Sequence, residues 1–194
     1  MSPELRRTAL IDSTLPLLRE FGDAVTTRQI AHACGVAEGT IFRAFPDKDS
    51  LIRAALDRAL DPTDTIAEIS RVDPTLALEP RLRAAAAILY ERLTGVFALI
   101  GAMRLTQSSA HAPNSSCRSD HEARHAEIIQ AVADLLSPDA HLLARTPMEV
   151  AQLLRALIFS GAHPLISAGA PLDSDEVVSI LLDGVRRQPK EETC

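Results

Sequence analysis

The chain has no tryptophan, one tyrosine and five phenylalanines in 194 residues, so aromatic stacking contributes little to its core. Cysteine is scarce too. Cys34, Cys117 and Cys194 are an odd set with no framework spacing, which excludes a disulfide-stapled fold and reads as a reduced environment. Met1 to Arg7 lacks the apolar stretch of a signal peptide, and a cytoplasmic location is the expectation. Long hydrophobic runs are also missing. The most apolar stretch, Arg83 to Met103, is interrupted by Glu91 and Arg92, so no membrane partner is expected. Lysine occurs twice against eighteen arginines, and the eight glycines and twelve prolines fall mainly between periodic segments. That distribution suits helices.

What is present is a globular composition, 46% hydrophobic and 24% charged, which excludes disorder as the main state. A chain of this length buries about 70% of the surface it exposes when unfolded, without needing a disulfide or a structural metal. The net charge of −6 is uneven. Residues 1–60 carry eight basic and eight acidic side chains, whereas residues 61–194 carry twelve and eighteen.

Apolar periodicity predicts a first amphipathic helix on Leu5, Ile11, Leu15, Leu18 and Phe21, ending at Gly22, with a bend expected near Pro16. Thr26 and Gln29 form a capping box that opens a short helix ending at Gly35. A second short helix covers Glu38 to Ala44, and Asp47 caps a fourth that carries Leu51, Ala55, Leu56 and Leu60. The proline-bearing stretch Asp61 to Pro80 reads as a connector with one short helix near Thr63 to Arg71, and a domain boundary is placed there, dividing 1–60 from 61–194. A long stripe follows from Leu82 to Met103, then a polar loop from Gln107 to Arg118. Ser119 with Glu122 reads as a second capping box ahead of Ile128 to Leu136. Thr146, Pro147 and Glu149 start the next helix, and the last spans about Ser174 to Arg187.

Two short helices joined by a tight glycine turn, Arg28 to Cys34 and Glu38 to Ala44, meet the packing needs of a helix-turn-helix. Ala31 is small where the helices approach, Gly35 suits a positive φ, and Ile30, Val36 and Ile41 fill the shared core. Spacing alone leaves open a helical hairpin that merely packs.

The run Thr26-Thr27-Arg28-Gln29-Ile30-Ala31-His32-Ala33-Cys34-Gly35-Val36-Ala37-Glu38-Gly39-Thr40-Ile41-Phe42-Arg43-Ala44-Phe45, followed by Lys48 and Leu51, resembles the N-terminal DNA-binding domain of TetR-family transcriptional regulators. The resemblance covers roughly residues 5–52; the remainder is similar only in length and helical character. It implies an all-α fold: an N-terminal three-helix helix-turn-helix DNA-binding domain plus a C-terminal helical ligand-binding and dimerisation domain. It implies a regulator, most often a repressor, that binds a palindromic double-stranded DNA operator as a homodimer and is released by a small-molecule effector. No enzyme activity and no cofactor are expected.

Carried over by position, the resemblance puts Glu38 to Ala44 in the major groove, with Gly39 allowing close approach and Thr40, Phe42 and Lys48 at phosphate-contacting positions. Arg28 and Arg43 are the candidates for base reading, because the guanidinium fork matches guanine O6 and N7. Thr26 and Thr27 stand at a helix N-terminus, which suits a phosphate. The basic face is completed by Arg6 and Arg7. Three positions depart from the family's pattern. Ala37 replaces a capping serine, Ala44 a larger side chain, and Glu38 is expected to turn to solvent rather than face phosphates.

The resemblance further implies dimerisation through the last two long helices, here on Leu153, Leu157, Gly161, Leu181, Leu182 and Val185. It also implies an effector pocket among the middle helices, for which Tyr90, Leu93, Phe97, Met103, Arg104 and Phe159 are candidates. With so few aromatics beyond residue 60, such a pocket suits a compact or aliphatic ligand. One competing pattern stands apart. His121-Glu122-Ala123-Arg124-His125 has the spacing of a zinc-binding helix with a glutamate base, and Cys117 and His111 are nearby. A metal-sensing regulator or a zinc hydrolase is therefore the alternative reading, set against the polar flanks and the lack of a third ligand helix.

Overall fold

A computed structural model describes residues 2–106, 116–167 and 170–185, with the backbone alone for 104–106 and 116–123. The described residues form helices and no strand element. Nine α-helices follow in order: α1 (Pro3–Phe21), α2 (Thr27–Cys34), α3 (Ile41–Ala44), α4 (Lys48–Leu60), α5 (Thr63–Ser70), α6 (Leu78–Thr106), α7 (Ser116–Leu136), α8 (Pro147–Ala162) and α9 (Ser174–Val185). Short 3-10 turns precede α2 and α3, and another, Ser137–Leu142, follows α7.

The ends of these helices follow from local chemistry. The Thr26 hydroxyl accepts from the Gln29 N–H while the Gln29 side chain accepts from the Thr26 N–H, and Thr146 with Glu149 builds the same box on α8. The Asp47 carboxylate accepts from the Ser50 N–H at 2.7 Å and opens α4. Such bonds favour the ionised acid, and they hold Asp47 and Glu149 below the ordinary carboxylate range. Gly35 ends α2 at φ 67° and ψ 31°, the left-handed conformation in which a Cβ would clash with its own backbone. α1 runs as one helix through Pro16, since loss of a single backbone bond does not outweigh its packed face.

One reading of a helix start changes. α7 begins at Ser116, so Ser119 lies inside the helix and is not its N-cap. The segment Ser137–Leu142 forms a 3-10 turn led by Pro138.

The chain divides into two compact units, Met1–Asp61 with Gly95–Ala112, and Pro62–Thr94 with Pro113–Cys194. In the first, α1 packs on α2 and α4 around Leu10, Leu18, Val25, Ile30, Ile41, Phe45, Leu51 and Ala55, with Leu99 joining from α6. In the second, α5, α7, α8 and α9 surround Leu82, Ala86, Leu89, Val132, Leu136, Leu154, Ile158 and Val178. α6 therefore supplies residues to both cores. Leu78–Met103 is long and apolar enough to cross a membrane by length and composition. Leu82, Ala85, Ala86, Leu89 and Leu99 on it are buried, and length and composition alone do not separate a core helix from a membrane span.

Candidate nucleic-acid interface

The site is built outward from the small core of the first unit. Ile30 and Ala31 on α2 and Ile41 and Phe45 at the second element of the motif are buried, which fixes the two helices through their apolar faces. The second element begins as a 3-10 turn, Glu38–Thr40, and continues into α3. Ala37, at its N-cap, makes no side-chain bond, as its replacement of a serine implies. Gly39, Phe42 and Arg43 share the outward face at spacings of three and four residues. All three are exposed, Phe42 by 52%, an unusual place for a large apolar ring. Gly39 has no positive φ, and a Cβ there would meet nothing within 4 Å. The fold itself does not require this glycine.

The proposed contact residues differ in what their polar ends already do. Arg28 and Arg43 are exposed and make no hydrogen bond or ion pair among the described residues. Thr26 uses both its N–H and its hydroxyl in the capping box. The Thr27 hydroxyl donates to the Glu38 carboxylate at 2.5 Å, tying the start of α2 to the start of the next element. Glu38 is exposed, as expected, but it also serves as this acceptor. Thr40 is half-buried. The Lys48 ammonium donates to the carbonyls of Asp23 at 2.9 Å and Val25 at 3.2 Å, closing the turn between α1 and α2. An ammonium has three protons, so this clamp leaves one for an outside acceptor.

Sequence reasoning missed the use of Arg7. Its Nη1 donates to the Ala44 carbonyl at 2.8 Å, and its guanidinium carbon lies 4.0 Å from the centroid of the Phe45 ring. These partners are 37 and 38 residues away, beyond any periodic signal.

In the second unit, Tyr90 and Leu93 are half-buried against the core, and Phe159 on α8 is 39% exposed with its ring 5.5 Å from that of His163. Phe97 and Met103 belong to the first unit, while the side chain of Arg104 lies outside the described residues. None of these six lines the groove of about 580 Å³ between α5 and α7. Its floor is Ile66, Ile69, Val72, Ala131 and Leu135, with Ser70, Glu127, Gln130 and Asp134 among its polar lining.

The apolar residues expected at a dimer contact also separate. Leu181, Leu182 and Val185 are buried in the unit's own core, and Gly161 is packed so closely on Leu172 that a Cβ would lie 3.0 Å from the Leu172 Cβ. Leu153, at 39%, and Ile180, at 51%, are exposed, and Leu157 is half-buried. Cys117 and the His121 side chain fall outside the described residues, as does His111; His125 is exposed on α7. Among the described residues no group of three His, Cys, Asp or Glu is placed to hold a metal.

Buried anchors on both helices, a left-handed glycine turn between them and an exposed second element define a helix-turn-helix protein of all-α architecture. Residues 10–55 match the family described as bacterial regulatory proteins, tetR family. That match lies within the first 60 residues. The chain is 39% identical over 61 residues to the HTH-type transcriptional repressor KstR of Rhodococcus jostii. That match spans 31% of this chain and 29% of the relative, so this chain covers less than a third of the relative's length. A Mesorhizobium loti protein assigned to the TetR family shares the fold with TM-score 0.66 and 16% identity, over 96% of this chain and all of that one. A complex of SmeT with triclosan is similar at TM-score 0.59 and 17% identity, over 95% and 93% of the two chains.

Proposed function

We propose that the chain is a cytoplasmic, ligand-responsive transcriptional repressor that binds a palindromic double-stranded DNA operator as a homodimer. The observation that carries this reading is the outward face of Gly39, Phe42 and Arg43 on an element whose opposite side is anchored by Ile41 and Phe45. An arginine without an internal partner is free to lay its fork on a guanine edge, worth about 1–3 kcal/mol of discrimination for a good bidentate contact. Arg28, similarly unengaged, is the second reader, while Thr27, Thr40 and Lys48 lie close to the backbone path. The KstR relative, described as a repressor, supports the sign of regulation.

One helix-turn-helix reads few base pairs, so specificity needs two copies. The exposed side of α8 and α9, carrying Leu153, Leu157 and Ile180, is the apolar surface available to a second copy. For the effector, the triclosan complex of SmeT supports small-molecule binding within this fold. The groove between α5 and α7 is the seat its apolar floor favours, with an aliphatic body on Ile66, Val72 and Leu135. α6, which contributes to both cores, is the element through which occupancy would shift the operator-binding population.

Selection of sites from a random DNA library at stated salt tests the reading, because phosphate contacts make affinity salt-dependent. The expected outcome is an enriched palindrome whose binding is lost in Arg43→Ala. A pool without enrichment, repeated at low salt, would overturn it.

A further inference from the structure

The element bearing Gly39, Phe42 and Arg43 is poorly equipped to hold its own position. It has three 3-10 and four α residues, no side-chain cap at Ala37, and a single buried member, Ile41. An isolated helix of this length is unstable in water. Its N-terminal end is tied to α2 by the Thr27 to Glu38 bond. Its C-terminal end meets Arg7 of α1. There the guanidinium donates to the Ala44 carbonyl, a helix-end acceptor that the helix dipole makes attractive to a cation, and lies over the ring of Phe45. Phe45 is 1% exposed, so the ring is a fixed platform.

We infer that Arg7 is a positioning residue for the DNA-reading element and not one of its phosphate ligands. The placement stands on the contacts to Ala44 and Phe45; its effect on DNA rests on the function proposed above. A guanidinium can donate in its plane while its flat face stacks on a ring, a geometry that the compact, non-planar ammonium of lysine does not reproduce. Charge alone therefore does not reproduce the role. The sequence reading grouped Arg7 with the basic face, and the two assignments make opposite predictions for Arg7→Lys.

The experiment compares wild type, Arg7→Ala and Arg7→Lys by amide hydrogen exchange without DNA, and by operator affinity over a series of salt concentrations. Both variants are expected to exchange faster in the peptide spanning Ile41–Phe45 while the peptide spanning Thr27–Cys34 keeps its rate. Both should bind the selected operator about tenfold more weakly, the cost of one lost charge-assisted bond, with an unchanged slope of log affinity against log salt. A phosphate ligand would behave otherwise: Arg7→Lys would bind like wild type, and Arg7→Ala would flatten the slope by about 0.9 per contact without altering exchange. That result would overturn the inference. If Arg7→Ala fails to fold, Arg7→Lys alone decides between the two. If no operator is enriched at all, the proposed function fails, and the exchange data still test whether Arg7 holds the end of α3.

Discussion

The pair formed by Arg81 and Asp139 allows a prediction in which burial decides the order of effects. Arg81 stands in the first turn of α6 with its side chain 3% exposed, and it pairs through Nη2 with Asp139 of the 3-10 turn, whose side chain is 19% exposed. Its Nη1 donates to the Pro74 carbonyl at 3.3 Å, and its Nε is buried with no hydrogen-bond partner among the described residues. Removing Asp139 strands a guanidinium that water cannot reach. Breaking a buried pair from one side costs about 3–5 kcal/mol, and the partial exposure of the carboxylate argues for the low end, about 3 kcal/mol. Removing Arg81 instead leaves a carboxylate whose paired oxygen is also buried but whose side chain is 19% exposed against 3% for the guanidinium, which costs less. Asp139→Ala is therefore expected to lower the thermal midpoint by about 6–12 °C, from a sensitivity of about 2–4 °C per kcal/mol at this chain length. Arg81→Met should lower it by less than half as much, and the double variant should melt close to Arg81→Met, because the stranded charge is gone. Circular dichroism melts of the four proteins at one concentration are sufficient. Equal losses for the two single variants, or additive losses in the double, would refute the reasoning that burial of the guanidinium governs the site.

Three further outcomes are expected. Glu149, Asp47 and Asp73 lie below their ordinary values of 4.5, 3.8 and 3.8 because each accepts hydrogen bonds, from Thr146, Ser50 and Thr75 respectively. A depressed folded-state pKa contributes stability above the unfolded value and loses it as pH falls through the folded one, so thermal midpoints should drop below about pH 4.5, and Glu149→Gln should remove the earliest part of that drop. Ile180→Asp, at an exposed position on α9, should convert the proposed dimer to a folded monomer by light scattering with little change in helicity; a retained dimer would place the interface elsewhere. Gly39→Ala should leave the melt unchanged or slightly raised, since nothing lies within 4 Å of the new methyl group, yet weaken operator binding, and unaltered binding would show that this backbone does not approach DNA.

The parts of this fold that sequence made legible are those governed by neighbours in the chain. Thr26 with Gln29, Thr146 with Glu149 and Asp47 with Ser50 are capping patterns complete within four residues, and each appears as read. Gly35 could be assigned its turn because the left-handed conformation is a property of one residue. The pattern at Ser119 and Glu122 has the same form, yet it lies within α7, since a capping box marks a start only where the chain upstream leaves the helix. Periodicity does not separate two apolar stripes that share one helix. Leu181 and Leu182 are adjacent to exposed Ile180, and sequence supplies no rule for which stripe meets the protomer's own core.

The candidate site divides along the same line. A residue type announces what it could contact, whereas its availability depends on partners that only folding brings near. The resemblance gives Lys48 a phosphate position and charge alone puts Arg7 on the basic face; folded, Lys48 also closes the turn at Asp23 and Val25, and Arg7 holds Ala44 and Phe45. Arg28 and Arg43 carry the same charge and have no such employment among the described residues. The first 60 residues are net neutral, so on the function proposed above discrimination rests on these two unengaged forks and on how firmly their elements are held. A short, uncapped reading element cannot supply that hold alone. On the inference above, Arg7, a basic residue that does not read, keeps in register the ones proposed to do so.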